Sequence, residues 1–370
     1  MIKIGETGKQ VFVFLIIFGP FIFGQNIVLS MGLYAYQNDF FYTNLLVFFG
    51  FFTKLFSGIF EIILQKGFQI KLKEPSPLTV KDYVIYILII VLEVLSLLLN
   101  INYYILNAHL FKNVYLFASL TGLQLFIISI LSFCIFQLKF GKHRIIGLVF
   151  ITIGLLFIIP IYVFQLNKVL TSKEIIIFCL TQLGIVFIGG IVEVLQKYLL
   201  LVKHQSPYKM LFIIGLFQCL SMVYFLIDSF LKWKATINFE SGLVLIFGIV
   251  VQGAYHYMRL VINYKFTPAH RSTSDYISAI IMFIFSYCYE SNWVVVLGVL
   301  GYCICLFGSL IYNEIIIIGV FDIDKDTIDK IQQRGLIEEV NDKKYLSEEY
   351  KKRKQLIETM ISKENIIQYY

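Results

Sequence analysis

The chain is 370 residues long, 58% hydrophobic, 17% aromatic and only 15% charged, with a formal net charge of +7. A soluble domain of this length carries charge on roughly a quarter of its residues, and a mean hydropathy of +0.79 exceeds what one globular core can bury, so lipid is expected to cover the rest. Nucleic-acid binding needs a solvent-facing basic surface; here Lys and Arg stand in short caps between apolar runs, which excludes that class.

A spanning helix takes roughly 20 mostly apolar residues. The first such run, 11–34, follows Lys3 and Lys9. It is longer than the apolar core of a signal peptide and lacks a small-residue cleavage site, so it is predicted to be a retained helix. Further runs follow at 41–64, 83–105, 114–138, 143–165, 174–200, 208–231, 241–264, 270–289 and 292–317. The predicted fold class is therefore all-α, a polytopic membrane protein of about ten transmembrane helices joined by short connections. With ten spans, fifteen Lys and Arg fall on one side, from Lys3 to Arg271, and five on the other: Lys112, Lys168, Lys173, Lys232 and Lys234. The positive-inside rule then puts both termini in the cytosol, or in the matrix of a mitochondrion.

From Gly319 onward the composition changes to densely mixed charge. Ser347 followed by Glu348 and Glu349 reads as a helix start, with Tyr350, Ile357 and Ile361 near one face. This tail, 318–370, is expected to be either a solvated cytosolic helix or a docking helix for a homodimer contact, a protein partner or a membrane surface. The membrane body divides into two five-helix repeats, 1–165 and 166–317. Gly147 and Gly154 punctuate the fifth run, and Gly298, Gly301 and Gly308 the tenth, as small residues do where helices approach closely. Five helices per half would set the halves in opposite orientations, a common plan for secondary transporters.

Charges inside apolar runs normally face a cavity or a partner. Lys54 and Glu61 lie in the second run, Glu93 in the third, Glu193 in the sixth, His256 and Arg259 in the eighth, and Arg271 and Asp275 at the start of the ninth. Arg271 and Asp275 stand four apart, the spacing of an ion pair across one helical turn. Arg259 and Arg271 are the natural binders of an anionic solute, since a guanidinium fork suits phosphate oxygens; the alternative is that they snorkel to headgroups. Lys54 would be the positive counterpart in the first half, Glu93 and Glu193 would couple protons or pair with these cations, and Tyr255 and Tyr257 would stack on a base or sugar. Gln124 joins the set as a cavity-lining amide, alongside Gln25, Asn26, Asn100 and Gln182. The six cysteines all fall in apolar segments without a CxxC or Cys/His cluster, so no metal and no cofactor is expected.

Several motifs in order carry a resemblance. Pro207 is followed by Gly215-Leu216-Phe217, Thr267–Asp275 reads TPAHRSTSD, and Gly301, Gly308 and Tyr312-Asn313 close the last run. In these the chain resembles the drug/metabolite transporter superfamily, in its nucleotide-sugar-transporter-like branch, the solute carrier 35 or EamA-like group, from the first helix to about Asn313. It departs at Thr121, before Gly122, where that group carries Arg; at Gln196 and Lys197, where acidic residues are usual; and at Ser278, a second polar or basic position. The resemblance implies alternating-access exchange of a small polar metabolite such as a nucleotide-sugar, in an internal membrane of the Golgi, endoplasmic reticulum or lysosome type. The lost polar positions and the charged tail favour a second expectation, a transporter-derived, non-transporting subunit of a larger membrane complex. An enzyme is not expected: GxSxG and HExxH motifs are absent, as is the GxxxxGK[ST] loop of an ATP-driven pump.

Overall fold

The structure is a computed structural model, and it describes residues 2–4, 18–19, 40–67, 78–106, 121–136, 141–168, 170–232, 239–289, 293–319 and 327. Among these residues lie nine α-helices: α1 Phe40–Gly67, α2 Val80–Leu106, α3 Gln124–Phe136, α4 Lys142–Leu166, α5 Ser172–Leu201, α6 Pro207–Lys232, α7 Phe239–Lys265, α8 Pro268–Tyr289 and α9 Trp293–Tyr312. A single 3₁₀ turn, Thr121–Leu123, leads into α3. The helices match the second to tenth predicted runs. The predicted first helix falls outside the described residues except at Phe18 and Gly19, as does the start of the fourth run. All of the tail beyond Gly319 except Thr327 also lies outside them.

Local chemistry sets the boundaries. Before α2, the Thr79 amide and hydroxyl both donate to Asp82 Oδ2, at 2.8 and 2.7 Å. Thr171 and Glu174 repeat the pattern before α5. Each acidic side chain satisfies a donor that a helix start leaves orphaned. Pro207 and Pro268 open α6 and α8, where the missing N–H costs nothing. α4 and α9 are the helices in most extensive contact, followed by α1 and α6. In the first pair the crossing is glycine on glycine. A Cβ built on Gly147 would fall 2.7 Å from Gly308 O, and one on Gly154 would fall 2.6 Å from Gly301 O, so neither position has room for a side chain.

The burial pattern is inverted relative to a water-soluble bundle. Ile145, Val149, Leu156 and Val163 form an exposed stripe along α4, and Leu216, Leu220, Val223 and Ile227 form one along α6. Lys54, Glu93, Glu193, Arg271 and Asp275 are buried. Apolar area of this extent is not left facing water in monomeric proteins. Among the described residues, four segments are long and apolar enough to cross a membrane: Lys142–Ile161, Ser172–Leu201, Pro207–Asp228 and Val295–Tyr312.

Two apolar clusters fill the interior. One gathers α3, α4, α8 and α9 around Leu155, Tyr276, Phe283 and Tyr302; the other gathers α2, α5, α6 and α7 around Ile89, Leu199, Ile214 and Leu260. α5 lies between them, with Val194 in the first cluster and Val192 in the second. The residue between those two valines is Glu193. At one end of the bundle, strands β1 (Ile2–Ile4) and β2 (Ile316–Ile318) pair antiparallel, Ile2 opposite Ile318. That pairing seats the start of the chain beside the exit of α9.

Candidate functional site

Glu193 is fully buried. Its Oε1 lies 2.7 Å from Arg271 Nη1 and accepts a hydrogen bond from Arg259 Nε at 3.2 Å. Arg271 Nη1 also reaches Asp275 Oδ2 at 3.3 Å, the one-turn pair that the spacing anticipates, and Arg271 Nη2 donates to the Tyr255 hydroxyl at 3.0 Å. Arg259 Nη1 extends the chain of charges to Glu93 Oε1 at 3.8 Å. Glu93 in turn accepts from Gln196 Nε2 at 3.1 Å and Gln218 Nε2 at 3.3 Å. Gln218 Oε1 accepts from Lys54 Nζ at 2.6 Å. One continuous buried network thus draws on α1, α2, α5, α6, α7 and α8.

Three cations (Lys54, Arg259, Arg271) face three carboxylates (Glu93, Glu193, Asp275). Such balance is what permits the charges to sit in a low-dielectric interior, because a buried charge without a partner is strongly destabilising. Lys54 further lies 4.8 Å from the centre of the Phe51 ring, a cation–π contact. His256 packs against the rings of Phe51 and Tyr255, at 5.6 and 5.1 Å between centroids. The Tyr255 ring stacks on Phe18 at 5.8 Å, which brings Phe18 to the edge of the site.

The structure therefore brings Lys54, Glu93, Glu193, Tyr255, His256, Arg259, Arg271 and Asp275 together. Both arginines are turned onto carboxylates: the Arg271 side chain is 8% exposed and that of Arg259 17%. Gln124 is not part of the network; it is buried on α3 facing Gly189 of α5, and its Nε2 has no hydrogen-bond partner among the described residues. Tyr257 is not part of it either, being partly exposed and stacked on Tyr208 with the two hydroxyls 3.2 Å apart. The side chains of Glu61 and Thr121 lie outside what is described.

Residue-by-residue inspection of the sequence missed Gln218 and Asn263. On α7 a signal was present: Gln252, His256, Arg259 and Asn263 recur at helical spacing and are all turned inward. Asn263 Nδ2 donates to Glu193 O at 2.9 Å and locks α7 onto α5. Lys197, a departure from the resembled family, has a clear structural task. Its Nζ donates to the carbonyls of Asn263, Tyr264 and Phe266, at 2.9, 3.0 and 2.5 Å. An ammonium carries three donors, and here they close the C-terminal end of α7, where carbonyls are orphaned and the helix dipole is negative.

Beside the charges, α8 carries a second polar zone. Thr273 Oγ1 and Ser309 Oγ are 2.6 Å apart, and Asn313 Nδ2 donates to Ala269 O and Thr273 Oγ1, so the closing Asn of the resembled motif ties α9 to α8. Tyr276 donates its hydroxyl hydrogen to Gly122 O at 3.0 Å, anchoring the 3₁₀ turn before α3. Ser272, Ser274 and Ser278 are buried with no hydrogen-bond partner on their hydroxyls among the described residues, as are Glu193 Oε2 and Arg271 Nε. The chain matches no protein-family model and no curated protein.

Proposed function

We propose that the chain is a secondary transporter of a small polar metabolite, working by alternating access and related to the nucleotide-sugar-transporter-like branch of the drug/metabolite transporters. The observation that carries this reading is the buried junction of Arg271, Glu193 and Arg259 inside a bundle whose outer surface is apolar. Ionisable groups in such a place are expensive and are kept for a solute or ion pathway. The ten-helix, two-repeat plan belongs to the same proposal. Contacts between α4 and α9 are reciprocal, Gly147 with Gly308 and Gly154 with Gly301, as expected where a two-fold axis in the membrane plane passes between equivalent antiparallel helices. Residence in an internal membrane, with any homodimer or partner contact through 318–370, completes it.

The test is uptake into liposomes containing the purified chain, against a panel of nucleotide-sugars, nucleotides and small organic anions. Saturable uptake that Arg271→Ala abolishes is the expected result. A second reading, a transporter-derived scaffold subunit, draws support from the charge balance, since the network pairs its own groups. It would win if no solute enters and a stoichiometric partner is recovered in mild detergent.

A further inference from the structure

The proposed carrier must solve an electrostatic problem that its own network poses. The three cations and three carboxylates already sum to zero, so an arriving anion makes the buried centre negative, at a cost set by low dielectric. An anion that takes Arg271 must also weaken the hold of Glu193 or Asp275 on that guanidinium. Glu193 is held by two guanidinium groups, at 2.7 and 3.2 Å. Asp275 is held by one ion pair, at 3.3 Å. Asp275 is the more easily released.

We propose that Asp275 is a proton site coupled to anion binding at Arg271, so that one proton enters with each monovalent oxyanion. This rests on the carrier reading above and names its solute class and coupling ion. The proton comes from the water of the compartment to which the site is open and goes to the Asp275 carboxylate; Arg271 keeps its charge, and the centre stays neutral. The receiving side is present in the structure. Arg271 Nε is buried and without a partner among the described residues, and it belongs to the donor fork that a phosphate or carboxylate engages. The Ser278 hydroxyl, buried and without a partner among the described residues, stands three residues after Asp275 on the same helix, the spacing of facing side chains.

The charged and titratable groups around Asp275 are few. Arg271 is on its own helix; α5 presents Glu193, and α7 presents Arg259, Tyr255 and His256, with Glu93 and Lys54 behind them. α9 sets Tyr302 and Cys305 near the neighbouring Tyr276 face, while α3 and Phe18–Gly19 bring no charged group among the described residues.

The experiment is calorimetric titration of the purified full chain with dimethyl phosphate, a monovalent oxyanion that does not titrate in the working range. It is run from pH 5.5 to 7.5 in buffers of different ionisation heat. The expected result is uptake of about one proton per anion, with affinity falling about tenfold per pH unit once Asp275 is ionised. Asp275→Asn should bind with an affinity independent of pH and take up no proton. Arg271→Gln should not bind, and the charge-balanced Arg271→Gln, Asp275→Asn pair serves as the folded control. Binding by the wild-type chain without proton uptake overturns the coupling and leaves the carrier standing. Absence of binding at pH 5.5 overturns the anion site as well, and the carrier reading falls only if the uptake panel is also blank.

Discussion

Glu193 gathers two guanidinium groups on a single carboxylate oxygen, and no described donor reaches the other oxygen. Removing it strands Arg259 and Arg271 in a low-dielectric interior with only Glu93 and Asp275 to balance them. Glu193→Ala is expected to cost about 3–5 kcal/mol, the penalty of breaking a buried pair from one side. Adding Arg259→Met should recover part of that loss, because the two changes act on one network and are not additive. Thermal unfolding in detergent measures both; a double variant no more stable than Glu193→Ala would rule out the coupling. Outside the apolar runs, Lys203 Nζ lies 2.8 Å from Asp82 Oδ2. The hydrogen bond from Lys203 is the largest influence on the Asp82 carboxyl and, with the Thr79 donors, holds it down at about 2, from an ordinary 3.8, against the opposing effect of burial. A carboxyl held down in the folded state adds stability that is fully present above its ordinary value and is lost as pH falls through its lowered one. The gap in melting temperature between the wild-type chain and Asp82→Asn should therefore be constant from pH 8 to about 5 and close between about pH 4 and 2. A gap unchanged down to pH 2 would show that the pair contributes nothing.

Among the elements, α4 and α9 show most directly how small residues set the packing. Gly154 and Gly301 each lie where a Cβ would meet the other's carbonyl oxygen, at 2.6 and 3.1 Å, and backbone cannot rotate away as a side chain can. Gly154→Val should push the helices apart and cost roughly 1–3 kcal/mol, as overpacking does. The same change at Gly242, which has nothing within reach of an added Cβ, serves as the control and should cost little beyond helix propensity. Equal losses at the two sites would remove the packing explanation. Lys197 makes a matching case at a helix end: Lys197→Met exposes three carbonyls and should cost about 2–3 kcal/mol, since hydrogen bonds to a charged donor are the stronger kind. The helices, their order and the α8 ion pair were legible because they depend on local apolar runs and i,i+4 spacing. That Glu193 could pair with one of the buried cations was legible from composition, but which of them it meets was not, because Arg259 and Arg271 lie 66 and 78 residues away and only the packing of α5 against α7 and α8 joins them. Gln124 and Tyr257 show the converse. A polar group in an apolar run has several faces to choose from, and its sequence position does not say which neighbour it will meet.

The whole molecule is constrained by what meets at one end of the bundle. There β1 pairs with β2, Arg144 at the start of α4 lies over the Tyr312 ring at the end of α9, and Lys203 meets Asp82. Ser57, about two-thirds of the way along α1, donates to Tyr208 O at the start of α6, so the second half of α1 lies toward that end. α1 therefore begins at the opposite end from β1. The predicted first span lies outside the described residues except at Phe18, which stacks on Tyr255, and Gly19, which lies against Ile277. On the proposed ten-helix plan, the Lys and Arg bias would set this crowded end in the cytosol or the mitochondrial matrix. In a chain freed of its native cysteines, Lys3→Cys and Lys209→Cys should therefore react with an impermeant maleimide from the cytosolic side of sealed vesicles. Lys168→Cys, beyond the far end of α4, should react only from the other side. If Lys3→Cys and Lys168→Cys label from the same side, the chain crosses the bilayer a different number of times and the two-repeat plan fails. In that case the buried network would need another explanation, because a site midway between inverted halves requires the first half to contain its fifth span.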